Sequence, residues 1–132
     1  MLKKIFLLLI TGFAVIGLAN ADFNLDVDDD GKTEALTDGL LVIRYLFGFS
    51  DDALVAGATS SNASRSSPAE IAAFLKNNES KLDIDNNGSV TALTDGLLVI
   101  RHLFGFSGGA LTSGAISENA DRGDAQEITA YF

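Results

Sequence analysis

The chain of 132 residues has no cysteine and no tryptophan, and only one histidine, one proline and one methionine. Without cysteine there is no disulfide framework, no zinc–thiolate site, no thiol nucleophile and no lipid anchor on an N-terminal cysteine. Positive charge is scarce as well: nine Lys and Arg stand against eighteen Asp and Glu, for a net charge of −9. A chain this acidic repels nucleic acid and anionic lipid surfaces, so neither is expected as a partner. The apolar stretch Ile5 to Leu18 has fourteen residues, too few to span a bilayer comfortably, since a helix needs about 20. Catalytic groupings are missing too. No serine sits in a nucleophile elbow, no glycine-rich loop is built for phosphate, and the lone His102 replaces Tyr45 of an otherwise matching segment. The inventory points away from an enzyme.

Residues 1–21 read as a signal peptide. Lys3 and Lys4 form a basic start, an apolar stretch follows, and Ala19, Asn20 and Ala21 give a small-x-small cleavage site. An uncleaved anchor or a buried helix is the alternative. Cleavage leaves residues 22–132 as one domain that is secreted or periplasmic and free of the membrane. Loss of Lys3 and Lys4 takes the net charge from −9 to −11. Small exported domains without disulfides need another staple, and bound metal is one of the few available.

What the chain does have is one unit used twice, with repeat one at about 22–78 and repeat two at about 79–132. The segment Ala35 to Phe49 matches Ala92 to Phe106 at fourteen of fifteen positions, 57 residues apart. A fixed period of this length marks a structural repeat. Within each unit the pattern predicts loop, helix, turn, short helix, loop, helix, an all-α fold whose two copies pair about a pseudo-two-fold axis. Thr37 and Thr94 are expected to cap the first helix, with Asp38 and Asp95 in its first turn. Gly48 and Gly105 are expected to stop it, with Phe49 and Phe106 in Schellman ends. Ser50 and Ser107 are placed to cap a short helix. Ser67, Pro68 and Glu70 form a capping box with proline at the first helical position, and Asp124 and Glu127 repeat its spacing. The first helix is apolar nearly all round, so it is expected to be buried. Packing of one copy on the other is the preferred reason, with an exposed partner-binding face as the alternative.

Each unit opens on an acidic loop, Asp26 to Gly31 (DVDDDG) and Asp83 to Gly88 (DIDNNG). Side-chain oxygens at alternate positions followed by glycine are how a short loop wraps a hard cation such as Ca²⁺. Counting from Asp26, the expected ligands are Asp28, Asp30, the carbonyl of Lys32, and Glu34. The second loop offers Asp83, Asp85, Asn87, Ser89 and Thr91 at the same positions. A standard twelve-residue loop closes on a carboxylate at position twelve, where this chain has Thr37 and Thr94. Asp38 and Asp95 come one residue later and are expected to close two Ca²⁺ sites in a slightly wider loop; service as helix-start charges alone is the alternative. Loop one carries six acids (Asp26, Asp28, Asp29, Asp30, Glu34, Asp38) and loop two carries three (Asp83, Asp85, Asp95). Site one is therefore expected to bind more tightly and to be the less ordered when empty.

The stretches Asp26 to Leu46 and Asp83 to Leu103, including Arg44, Tyr45 and Leu46 and their counterparts Arg101, His102 and Leu103, resemble the duplicated F-hand repeat of type I dockerins. In that EF-hand-like unit a calcium loop leads directly into one helix. The closing aspartate here is one position later than in dockerins, and the linker is longer. Ala35–Leu36 and Ala92–Leu93 stand where dockerins often use a Ser/Thr pair to contact cohesin. The chain is also similar to dockerin-like repeats found at the ends of secreted bacterial polysaccharide-degrading enzymes and adhesins. The resemblance implies an interaction or scaffolding module with a protein partner, cohesin-like or a surface scaffold. A partnerless calcium-stabilised spacer or buffer, or an accessory module of a polysaccharide-degrading system, are the alternatives.

Overall fold

The computed structural model describes residues 24–132, so the signal-peptide reading lies outside the described residues. Among the described residues the chain is all helical, with six α-helices and no strand, as expected for an all-α protein. Two central helices, α1 (Leu40–Leu46) and α4 (Leu97–Leu103), pack on each other. Around α1 lie α2 (Asp51–Val55) and α3 (Pro68–Asn77), followed by a 3₁₀ turn (Glu79–Leu82). Against α4 packs α5 (Gly108–Thr112), and against α5 packs α6 (Ala125–Tyr131).

Each central helix is entered through a single π turn, Ala35–Gly39 or Ala92–Gly96. In it the amide of Gly39 donates to the carbonyl of Glu34 at 3.1 Å, and that of Gly96 to Thr91 at 3.1 Å. A π turn holds one residue more than an α turn, and such turns often mark functional positions. The expectation that Thr37 and Thr94 cap the helix is overturned. The capping positions are Glu34 and Thr91, with no side-chain cap, and the two threonines lie inside the π turn. The reason is local: Asp38 and Asp95 accept from the amides of Glu34 and Thr91 themselves, which pulls the helix start back by three residues.

The helix ends follow the sequence more closely. Gly48 and Gly105 take φ of +91° and +89°, open to glycine without steric cost. The amides of Gly48 and Phe49 donate to Tyr45 and Arg44, the paired bonds of a Schellman end, and Gly105 and Phe106 do the same with His102 and Arg101. Both capping boxes form, Ser67 with Glu70 and Asp124 with Glu127. Ser50 and Ser107 occupy the capping positions of α2 and α5 but make no side-chain cap. The ends of those short helices are held from outside. The Arg44 guanidinium donates to the carbonyls of Leu54 and Ala56 at 3.1 and 2.8 Å, and Arg101 to Leu111 and Ser113 at 3.0 and 2.8 Å.

The core runs between the central helices and under their satellites. Leu41, Val42, Leu98 and Val99 are fully buried, with Leu54, Ile71, Leu75, Leu111 and Ile128 closing over them. Each such side chain contributes about 1.5–3 kcal/mol by leaving water. The loops are stitched into this core by Val27 and Ile84, which alternate with the acidic residues and are fully buried. One short sequence therefore serves two purposes, sending aliphatic side chains inward to the core and carboxylates into the loop interior.

Candidate metal centre

Val27 and Ile84 anchor the loops, and the chain then turns sharply. Asp29 and Asn86 adopt left-handed φ of 56° and 54°, and Gly31 and Gly88 follow at +91° and +90°. The Asp26 carboxylate accepts from the amides of Asp30 (3.1 Å) and Gly31 (2.8 Å), and Asp83 does the same for Asn87 and Gly88 (3.1 and 2.9 Å). From the π turn, Asp38 reaches back across the loop. Its Oδ1 accepts from Val27 at 2.6 Å and Asp28 at 3.3 Å, while Oδ2 accepts from Glu34 at 2.8 Å. Asp95 makes the matching bonds to Ile84 (2.6 Å), Asp85 (3.4 Å) and Thr91 (2.9 Å). The late closing aspartate and the π turn explain one another: the extra residue in the turn carries the carboxylate to the loop interior.

Two groups of three carboxylates result, Asp26, Asp28 and Asp38, and Asp83, Asp85 and Asp95. In each group, one oxygen from every residue lies within 4.8 Å of the others. All six side chains are buried except Asp83, which is half-buried. Burial pushes the carboxyls of Asp28, Asp38 and Asp95 above the ordinary carboxylate value of 3.8, against the backbone amides that pull Asp38 and Asp95 down. Asp30 goes the other way, lowered chiefly by the Ser60 hydroxyl. In each group one buried oxygen, Oδ1 of Asp28 and Oδ1 of Asp85, has no hydrogen-bond partner. A buried charged oxygen without a partner is costly. The same atom is left open at equivalent places in both units. Carboxylates with no nitrogen or sulfur donor suit a hard cation, so both groups could hold a metal ion.

The other expected ligands sit at the rim. Asp30 is half-buried beside the first group, its Oδ1 accepting from the Lys32 amide at 2.9 Å. Asn87 occupies the same place in the second loop. Lys32, Glu34, Ser89 and Thr91 are exposed, and neither acidic group includes the Glu34 carboxylate. The Thr91 and Thr94 hydroxyls bond each other.

Two serines belong to the site although no loop pattern announces them. Ser60, beyond α2, donates its amide to Asp28 Oδ2 at 2.8 Å, and its hydroxyl lies 3.0 Å from Asp28 Oδ2 and 2.6 Å from Asp30 Oδ2. Ser117 donates its amide to Asp85 Oδ2 at 2.9 Å. Their recurrence 57 residues apart was a usable signal in the sequence. Arg65 and Arg122 brace the loops from behind, donating to the carbonyls of Val27 (2.7 Å) and Ile84 (2.8 Å) while lying 4.0 Å over the rings of Phe74 and Tyr131. The amides of Arg65 and Arg122 also donate to the carbonyls of Asp28 and Asp85 at 3.0 and 2.9 Å.

No protein-family model, curated protein or solved structure matches this chain.

Proposed function

We propose that the chain is an exported, calcium-ordered interaction module built from two EF-hand-like, dockerin-like units packed with pseudo-two-fold symmetry. The observation that carries the reading is the pair of buried, unpartnered oxygens on Asp28 and Asp85, each inside a group of three converging carboxylates. Ca²⁺ takes six to eight oxygen ligands and tolerates several carboxylates, whereas Mg²⁺ keeps its waters and suits such cages poorly. Asp26, Asp28 and Asp38 would hold the first ion, with Asp30, Glu34 and the Lys32 carbonyl as further oxygens. Asp83, Asp85 and Asp95 would hold the second, with Asn87, Ser89 and Thr91. The bound ion supplies the positive charge that the buried carboxylates lack.

The mechanism is linkage. An ion that binds the folded loops and not the unfolded chain adds stability, about 2.7 kcal/mol per site at a hundred times its dissociation constant. Calorimetric titration with Ca²⁺ tests this: two sites are expected, together with a melting temperature that falls in chelator. Identical melting in chelator and in millimolar calcium would defeat it.

A partner-binding module is favoured over a spacer by the exposed apolar side chains. Leu36 and Leu93, in the segments that align with the cohesin-contacting pair of dockerins, are 63% and 62% exposed, and Phe47 and Phe104 are 53% and 52% exposed. Leu36 lines one groove with Phe104 of the other unit. Monomers seldom leave contiguous apolar patches open without use. The test is capture of a secreted protein that calcium promotes, chelator abolishes and Leu36→Asp weakens; capture unaffected by all three leaves the spacer.

A further inference from the structure

We propose that the residue at the fifth loop position, with the serine that reaches it from the segment after the short helix, sets how far each loop depends on its ion. The inference rests on reading the two acidic groups as calcium sites. The two units share the same backbone latch, the amide of Ser60 or Ser117 on the carboxylate of Asp28 or Asp85. They differ in what the serine hydroxyl meets. Ser60 lies between two carboxylate oxygens, at 3.0 Å from Asp28 and 2.6 Å from Asp30. A hydroxyl carries one proton and an ionised carboxylate only accepts, so one of those two contacts has no donor. In the second unit the Asn87 amide nitrogen donates to the Ser117 hydroxyl at 2.8 Å. Asn87 thus brings a donor where Asp30 brings a further negative charge.

Loop one holds four carboxylates around its centre and needs a cation to offset their mutual repulsion. Loop two, with three carboxylates and a neutral amide, carries one negative charge fewer and repels itself less. Filling site one therefore docks the segment from Ser60 to Arg65 onto its loop, while the matching segment of the second unit stays docked without calcium. Ser60 and Ser117 act here as positioning residues, while Asp30 and Asn87 face the ion and differ by one charge.

Hydrogen exchange on the purified chain, in chelator and in millimolar calcium, tests this. In chelator the amides of Asp30, Gly31, Glu34 and Ser60 should exchange at least about tenfold faster than with calcium, and those of Asn87, Gly88, Thr91 and Ser117 should change far less. Asp30→Asn should restore protection to loop one in chelator, and Asn87→Asp should remove it from loop two. An equal response of both loops, or exchanged residues that leave the pattern unchanged, overturns the inference while the calcium sites stand. No calcium response in either loop overturns both.

Discussion

Gly39 and Ile100 meet across the crossing of the central helices, too close for a side chain to enter without a shift of its neighbour. A Cβ on Gly39 would lie 3.0 Å from Ile100 Cγ1 and 3.4 Å from its Cα, and Gly96 stands in the same relation to Ile43. The contact is thus reciprocal, each unit's glycine receiving the other unit's isoleucine.

Gly39→Val should therefore overpack this crossing and destabilise the fold by about 1–3 kcal/mol. Gly96→Val should cost a similar amount, because the two contacts are equivalent. Denaturant unfolding in saturating calcium measures both, and a neutral result at either position would mean that the helices can separate without loss.

Asp38 is the acceptor for three loop amides, two of them on the buried residues Val27 and Asp28. Asp38→Ala should leave those donors unsatisfied, at about 1–3 kcal/mol each. On the calcium reading proposed above, it should also abolish binding at the first group and spare the second, so calorimetry should count one ion per chain instead of two. Asp95→Ala should do the same to the second site.

Arg65 combines a hydrogen bond to the Val27 carbonyl with a stack on Phe74. Arg65→Ala should destabilise the protein by about 1.5–3 kcal/mol, the range for hydrogen bonds from charged groups. Arg65→Lys should recover only part of this, since an ammonium has neither the planar face nor the fork of a guanidinium. Comparing the three unfolding curves in saturating calcium decides the matter.

His102 stacks on Phe132, ring centroids 4.1 Å apart and 14° from parallel. Burial holds its imidazole below the ordinary value of 6.5. A group whose folded pKa is depressed binds protons more readily when unfolded. Its stability is present above the unfolded value and is lost as pH falls through the folded one. The melting temperature in saturating calcium should therefore drop as pH falls through the ordinary value of 6.5 and below it, and His102→Tyr should flatten that part of the profile. An unchanged profile in the variant would place the acid sensitivity elsewhere.

Much of the local structure was legible in the residues. The all-α class, the stops at Gly48 and Gly105 and the two capping boxes at Ser67 and Asp124 depend on neighbours a few positions away, and they formed as expected. Thr37 and Thr94 misled for a reason of the same kind. A threonine before an aspartate looks like a helix cap, but the following carboxylate accepts from the amide four residues before it, at Glu34 or Thr91, and moves the helix start back. Ser60 and Ser117 were missed because their partners lie about thirty positions away in the chain.

By itself the sequence determined the unit and its duplication: where oxygens alternate, where glycine must bend the chain, and which helix is too apolar to face water. These are short-range consequences of side-chain chemistry and backbone sterics. Only the tertiary structure decided that a π turn carries Asp38 and Asp95 inward, and that Gly39 and Gly96 seat the opposite unit's isoleucines. It also decided that serines from a distant segment complete each carboxylate group. Such contacts arise when packing brings remote residues together, and their geometry depends on the whole core rather than on any one stretch of it.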